Sequence, residues 1–492
     1  MAQAHSMVTG AEAWLERSIP EIQAGMDAGE VSACDLVAAC LARIARYDKA
    51  GPGINAVLEV NPDAWHIAEA LDLERRIRGP RGPLHGIPVL VKDNIDTGDK
   101  MHTSAGSLAL KDSYAARDAF VAERLRAAGA VILGKTNMTE WANFMTRHMP
   151  SGYSSRGGQV KNPYGPGRFD VGGSSSGSGA AVAAGLAVAA VGTETSGSIL
   201  SPSSQNSLVG IKPTVGLVSR TGIIPISHSQ DTAGPMARCV VDAALLLQAL
   251  AGRDEGDPAT WRIPADFPAE LTAGLDKGAL RGARIGVPRK GYWDKLPAGK
   301  QAVMEEAIRA LRDAGAEVVD PADIPSADAE WDLAVLVHEF KPALNAYLGR
   351  LAPHVPVHSL RDVIEFNLRY AEKMLKYGQV WMLEAEDTSG TLTDPAYIAA
   401  RLRDLRLSRE EGIDAALAAH RLDALLFPGN LGAGIAAKAG YPSITVPAGY
   451  TKEGEPVGAT FTGRAFSEPA LIRWAYAFEQ ATQARRAPRL DE

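Results

Sequence analysis

Three separate segments of the chain carry residues that together could perform nucleophilic chemistry. A Ser/Gly-rich loop contains Ser174, a later turn contains Ser198, and Lys92 follows the apolar run Ile87–Val91. A serine hydroxyl attacks a carbonyl group only if a base removes its proton, and a lysine can be that base only when it is neutral. Burial at the end of an apolar strand lowers the pKa of a lysine. Residues of these types could therefore supply a serine nucleophile and a buried lysine base.

The Ser/Gly-rich loop has three other interpretations. A flexible linker is disfavoured, because the loop leads directly into the apolar run Ala180–Val191, which must be buried. A phosphate-binding loop is disfavoured, because neither glycine-rich phosphate pattern occurs in it. The string Gly173–Gly177 also satisfies G-x-S-x-G, which would make Ser175 the nucleophile of an α/β-hydrolase elbow. That elbow must follow a β-strand, whereas the preceding segment Asn162–Asp170 is rich in turn residues.

From about Ser18 to Phe478, and most densely from Leu84 to Arg238, the chain resembles the amidase signature family. Members of that family hydrolyse amides with a Ser–Ser–Lys triad whose two serines lie 24 residues apart, and here 198 − 174 = 24. The resemblance implies that Ser198 is the nucleophile, Ser174 the bridging serine and Lys92 the terminal base.

The resemblance also implies how the residues around the triad support it. Ser174 is expected to follow a cis peptide bond after Gly173, and Ser175 to hydrogen-bond either the lysine or the backbone. Glycine at position 197 is expected to let the backbone approach the substrate closely. Backbone N–H groups that are fixed in advance stabilise a developing oxyanion. The expected donors are the N–H groups of Thr195, Ser196, Gly197 and Ser198.

Two departures from the family pattern bear on the substrate. Most members carry Gly-Gly-Ser at the nucleophile and an arginine two residues later, whereas this chain has Ser196-Gly-Ser and Leu200. The missing arginine favours neutral amides. The strings Ser151–Gln159 and Lys212–Arg220 are most similar to peptide amidases, which implies hydrolysis of C-terminal peptide amides.

Several alternatives for the function stay open. Aryl acylamides, carbamates and small aliphatic amides are other possible substrates of a stand-alone hydrolase. The amidase subunit of a tRNA-dependent amidotransferase is a second class of function. A non-enzymatic relative is disfavoured, because Lys92, Ser174 and Ser198 are all present.

For several other polar and aromatic residues we expect roles outside the catalytic triad. Asp231 and Arg238 are expected to brace the loops of the site, and His228 is interpreted as a hydrogen-bonded loop histidine. His338-Glu339 lacks the second histidine of a zinc motif, so no metal and no cofactor are expected. The candidate walls of an acyl pocket are Trp141, Met145 and Tyr153.

Composition limits the partners and the location. The 492 residues include 51 Lys and Arg against 58 Asp and Glu, a net charge of −7, so nucleic acid is not an expected partner. The longest apolar run is shorter than the roughly 20 residues that span a bilayer. The first seven residues show no secretory signal, and the three cysteines are odd in number. We expect a cytoplasmic monomer or homodimer that acts on a small-molecule or short peptide amide.

Short apolar runs alternate with amphipathic helical patterns after Gly86, which predicts an α/β/α sandwich with a mixed, mostly buried central sheet. We interpret residues 1–492 as a single domain, with a helical segment at 1–78, a signature core at 84–250 and a further α/β part at 251–492. Strands are predicted at 87–91, 130–133, 284–287, 317–319, 424–427 and 443–446. Helices are predicted near 119–128, 138–144 and 300–314, and the run 180–191 is predicted to form a helix and then a strand.

Overall fold

The computed structural model describes residues 10–294 and 296–491; the first seven residues, in which no secretory signal is apparent, lie outside this part. Among the described residues, eleven strands form one sheet in the order β1-β3-β2-β6-β8-β7-β12-β13-β11-β9-β10, and β4 pairs with β5. The strands are β1 (Val57–Val60), β2 (Pro88–Lys92), β3 (Val131–Thr136), β4 (Tyr153–Ser154), β5 (Gly158–Gln159), β6 (Ala189–Glu194), β7 (Val209–Lys212), β8 (Thr232–Ala237), β9 (Arg284–Gly286), β10 (Glu317–Val319), β11 (Ala424–Pro428), β12 (Ser443–Tyr450) and β13 (Pro456–Thr462).

Helices flank this sheet, as the sequence predicts. No helix in 10–294 or 296–491 is both long and apolar enough to cross a membrane. The α-helices are α1 (Ile19–Asp27), α2 (Ala33–Arg43), α3 (Ala64–Arg78), α4 (Phe120–Ala127), α5 (Ser176–Ala183), α6 (Leu200–Gln205), α7 (Val240–Leu250), α8 (Ala298–Asp313), α9 (Ala334–Leu348), α10 (Leu360–Arg369), α11 (Ala371–Met374), α12 (Val380–Glu386), α13 (Pro395–Leu405), α14 (Asp414–Ala419), α15 (Ala433–Ala439) and α16 (Glu468–Thr482).

The sheet is mixed, and its parallel part positions the candidate site. Strand β2 lies between β3 and β6 and runs parallel to both, and all three strands are completely buried. Parallel strands end at the same edge of a sheet, so the last residues of β2 and β6, Lys92 and Glu194, meet there. Ligand sites of α/β sheets commonly form at such an edge.

A separate apolar cluster lies under the helices α9 to α13. It buries Phe340 and Leu344 of α9 against Phe144, Ile224 and Ile226 from loops of the core. These contacts fix the helices from 334 to 405 beside the carboxyl edge of the sheet. Side chains of α9 consequently form one wall of a cleft at that edge.

Most predicted elements are confirmed to within a few residues, and two expectations are wrong. The predicted helix at 138–144 is only a short 3₁₀ turn, Glu140–Asn143, with Trp141 and Ala142 at positive φ. Burial of Trp141 and hydrogen bonds from Ser155 to Glu140 fix this conformation. The segment before Arg78 is not purely helical, because β1 pairs antiparallel with β3 at the edge of the sheet.

Candidate active site

Lys92 is the last residue of β2, and it is fully buried. Its Nζ lies 2.8 Å from Ser174 Oγ, 2.9 Å from Thr193 Oγ1 and 3.3 Å from Thr193 O. Burial lowers the pKa of Lys92 to about 7, while the charges of Glu194 and Asp231 oppose this shift. A substantial fraction of the side chain is therefore neutral near pH 7, as the sequence predicts.

The three contacts of Nζ suit a neutral amine. A neutral lysine has two N–H groups and one lone pair, and the two oxygens of Thr193 can accept both N–H groups. Asn94 Nδ2 donates to Thr193 Oγ1 at 3.0 Å and so holds that hydroxyl in place. The lone pair is then left for the hydroxyl hydrogen of Ser174.

Ser174 lies in the loop between Gly172 and α5. The Gly173–Ser174 peptide bond is cis, as the resemblance implies. The carbonyl oxygen of Ser174 accepts a hydrogen bond from Thr139 N at 3.0 Å, and the residue is fully buried. The loop is therefore held on both sides, which contradicts the linker interpretation.

Ser198 lies two residues before the start of α6 and is 8% exposed, so it is nearly buried but still reaches the surface. The backbone joins it to the other serine segment, because Ser175 N donates to Ser198 O at 3.1 Å. In the part of the chain that is described, the Ser174 and Ser198 hydroxyls do not hydrogen-bond each other. Catalytic hydrogen bonds often tighten only when substrate binds.

The carboxylate of Glu194 organises the turn that carries Ser198. It accepts hydrogen bonds from Gly197 N and Ile199 N at 2.7 Å and from Leu200 N at 3.0 Å. The Gly197 N–H is thus already engaged by a carboxylate, which disfavours its expected role as an oxyanion donor. Glycine is required at 197 for its φ of +80° rather than for a close approach of the backbone.

Asp231 braces the same turn from the other side, as the sequence predicts. Its carboxylate accepts hydrogen bonds from the Thr195 hydroxyl and from the backbone N–H groups of Ile226 and Ser227. Burial raises the pKa of Asp231 to about 6, against the effect of these hydrogen bonds. Arg238 is also structural, since it is buried and donates to Ala187 O at 3.0 Å.

Ser175 has a backbone role. Its hydroxyl donates to Thr193 O at 3.1 Å and accepts from Thr193 N at 3.2 Å. No strand precedes it, because residues 160–173 are outside regular secondary structure. The elbow of an α/β-hydrolase is therefore absent from this loop.

Two cavities flank the turn Thr195–Ser198. A cleft of about 560 Å³ is lined by Thr193, Glu194 and Thr195, by the loop 220–226 and by the end of α9. A second cavity of about 310 Å³ is lined by Ser196 and Gln230 and by mostly apolar side chains, which include Tyr292, Trp331, Leu336 and Ile435.

The pocket residues expected from the sequence lie elsewhere. Trp141 and Met145 are buried in the second apolar cluster and line neither cavity. Tyr153 packs edge to face on Tyr377 at 5.0 Å between ring centroids. Leu200 is fully buried in α6 and lines neither cavity.

His228 and Glu339 connect the cleft to α9. His228 lines the cleft, and its Nε2 lies 3.4 Å from Oε1 of Glu339. Glu339 is fully buried and accepts hydrogen bonds from the Ser227 hydroxyl and, at 3.1 Å, from Ser229 N. The carboxylate therefore ties the loop before Asp231 to the helical layer. Within 10–294 and 296–491, no group of three His, Cys, Asp or Glu residues could hold a metal ion.

Sequence reasoning missed Thr193 and Glu194 as functional residues. Both occur in the string Gly192-Thr-Glu-Thr195, at the end of the apolar strand β6. Polar residues directly after a buried parallel strand are the signal that identifies them.

The chain is similar to known proteins over most of its length. The family described as Amidase matches residues 35–433. The chain is 42% identical to a probable amidase of Arabidopsis thaliana, over 96% of this chain and 91% of that protein. It is 35% identical to the A component of the glutamyl-tRNA(Gln) amidotransferase of Chloroflexus aurantiacus, over 95% of this chain and 96% of that protein.

Among solved structures, the native peptide amidase of Stenotrophomonas maltophilia superimposes with a TM-score of 0.91 at 50% identity, and the match covers 98% of this chain and all of that one. The chain therefore belongs to the amidase signature family and is a hydrolase that acts on carbon–nitrogen bonds.

Proposed function

We propose that the protein is a stand-alone amidase that hydrolyses linear carboxylic amides, such as C-terminal peptide amides, through an acyl-enzyme on Ser198. The observation that carries this proposal is the buried Lys92, whose pKa is about 7 and whose Nζ lies 2.8 Å from Ser174 Oγ. A lysine in that state can accept a proton near neutral pH. The similarity to a peptide amidase supports the choice of substrate.

Acylation then proceeds in two steps. Ser198 Oγ bonds to the carbonyl carbon while its proton passes to Ser174 and the proton of Ser174 passes to Lys92. The carbonyl oxygen becomes an oxyanion, for which the N–H groups of Thr195, Ser196 and Ser198 are the proposed donors. The C–N bond breaks as Lys92 returns its proton through Ser174 to the leaving nitrogen. Water releases the acyl group by the same proton path.

Labelling with a fluorophosphonate tests the nucleophile. Trypsin cleaves after Arg168 and next after Arg220, because Lys212 is followed by Pro213. Ser174, Ser175 and Ser198 therefore lie in one peptide, and fragmentation must locate the label. We expect the label on Ser198 and its loss in Ser198→Ala. A label on Ser175 would contradict the proposal.

A substrate panel tests the reaction. Amidated dipeptides, anilides, carbamates and short aliphatic amides are compared by the release of ammonia or amine. We expect the highest kcat/KM for the amidated dipeptides with the purified chain alone. A higher kcat/KM for anilides or carbamates would not affect the assignment of Ser198 as the nucleophile. It would show that peptide amides are not the preferred substrates.

The similarity to a component of an amidotransferase supports a second candidate, an amidase that works only together with partner chains. Glutamine hydrolysis that appears only with co-purifying chains would favour it. The odd number of cysteines supports a cytoplasmic location, which we propose together with a monomeric or homodimeric state.

A further inference from the structure

The cleft beside Thr193–Thr195 has three arginines in its wall. Arg117 precedes α4, Arg220 lies in the loop after β7, and Arg350 follows α9. Three guanidinium groups from separate segments therefore converge on one cleft, in a chain whose net charge is −7.

The charge of Arg220 is already neutralised. Its Nε donates to Asp257 Oδ2 at 2.8 Å and its Nη2 donates to the other oxygen of that carboxylate, a two-point ion pair. Its remaining nitrogen donates to His228 O. Arg220 is thus a fixed part of the wall.

Arg117 and Arg350 differ from it, because both side chains are exposed. Across the described ranges, neither guanidinium makes an ion pair or a hydrogen bond. Their donors remain available to a molecule in the cleft.

The acidic groups that line the cleft equal its arginines in number, and Asp96 also interacts electrostatically with Arg117, but none of these carboxylates forms an ion pair with Arg117 or Arg350. Glu194 accepts three backbone N–H groups, and Asp231 is hydrogen-bonded to the Thr195 hydroxyl and to backbone N–H groups, with a pKa raised to about 6. Asp257 is paired with Arg220. Arg117 and Arg350 are therefore the exposed cations of the cleft wall that have no ion-pair partner in the part of the chain that is described.

We propose that Arg117 and Arg350 bind a carboxylate on the acyl part of the substrate, away from the scissile amide. The favoured substrates are amides of acidic peptides or of peptides acylated with a dicarboxylic acid. A guanidinium group presents paired N–H donors that match the two oxygens of a carboxylate. This specificity rests on the proposed amidase function.

The test compares two substrates that differ only in this charge. N-succinyl-alanyl-phenylalaninamide carries a distal carboxylate, and its N-succinamoyl analogue carries a neutral amide in the same place. We expect the wild type to prefer the acid in kcat/KM, mainly through KM, and the preference to fall at high salt. An exposed ion pair changes affinity by roughly two- to fivefold.

Variants then assign the preference to the two arginines. Arg117→Ala and Arg350→Ala should each reduce the acid-to-neutral ratio by about two- to fivefold, and the double variant should remove it. Arg350→Lys should retain part of it, and Arg78→Ala on α3, which lines neither cavity, should retain all of it. A wild-type ratio of one, or a ratio that is unchanged in the double variant, would overturn the inference.

Hydrolysis tests the proposed amidase function, and binding separately tests the role of the two arginines. If neither compound is hydrolysed, the proposed function fails. Calorimetric binding of the same two compounds to the wild type and to the double variant still tests the arginine pair. Equal affinities for the acid and the neutral analogue in the wild type would then overturn it.

Discussion

The carboxylate of Glu194 accepts a 2.7 Å hydrogen bond from the N–H of Gly197, the residue directly before Ser198. It also accepts the N–H groups of Ile199 and Leu200, so one side chain holds both sides of the nucleophile. Because Glu194 is the last residue of β6, the turn is attached to the same buried edge of the sheet as Lys92.

Glu194→Gln should weaken the turn around Ser198 and also change the pKa of Lys92. The amide has one accepting oxygen, so at least one buried N–H loses its partner, a cost of about 1–3 kcal/mol. We expect kcat to fall by about tenfold or more. The negative charge of Glu194 raises the pKa of Lys92, so its removal should move the acidic limb of the pH profile to lower pH. The matched control is Glu365→Gln on the exposed surface of α10.

The pH profile tests Lys92 directly. With a pKa of about 7, the neutral base forms as the pH rises through 7, so kcat/KM should rise there and stay high on the alkaline side. Lys92→Ala should abolish this limb and reduce amide hydrolysis more than hydrolysis of a matched ester, because an amine must be protonated to leave. Equal losses on both substrates would refute the proton-transfer role.

Gly177→Ala should destabilise the loop that carries Ser174. A Cβ at 177 would clash with the backbone oxygens of Ala56 and Asn137. We expect a loss of about 1–3 kcal/mol in the free energy of unfolding, measured as a lower Tm. Gly434→Ala in α15 has open space around its Cβ and serves as the control, with an unchanged or higher Tm. Equal Tm values for both variants would contradict the packing argument.

Chelation tests the metal-free mechanism, since the proposed triad needs no metal. Dialysis against a strong chelator should leave kcat/KM unchanged. A loss of activity that zinc restores would contradict the mechanism.

The sequence was sufficient for the parts of the site that local patterns encode. Lys92 follows a β-branched apolar run, and such a run is typical of a fully buried parallel strand. The α5–β6 unit was equally clear, because its small apolar residues can only be buried.

Other features depend on contacts that are distant in sequence. The segment 138–144 has a helical pattern, but burial of Trp141 and the Glu140–Ser155 hydrogen bonds override it. The hydrogen bond of the Gly197 N–H depends on the orientation of the Glu194 carboxylate, which cannot be predicted from residue spacing in the sequence. The cleft arginines come from three segments, and only the folded chain brings them to one wall.

The buried Lys92 also links protonation to folding. An unfolded chain keeps this lysine protonated up to its ordinary pKa of 10.5, whereas the native chain releases the proton near pH 7. Between these values the unfolded state binds more protons, so this group makes the native state more stable as the pH rises. Below pH 7 the native state carries a buried ammonium and the full desolvation penalty. The base that would make the enzyme active thus weakens its fold, and Lys92→Met should give an inactive protein with a higher Tm at neutral pH.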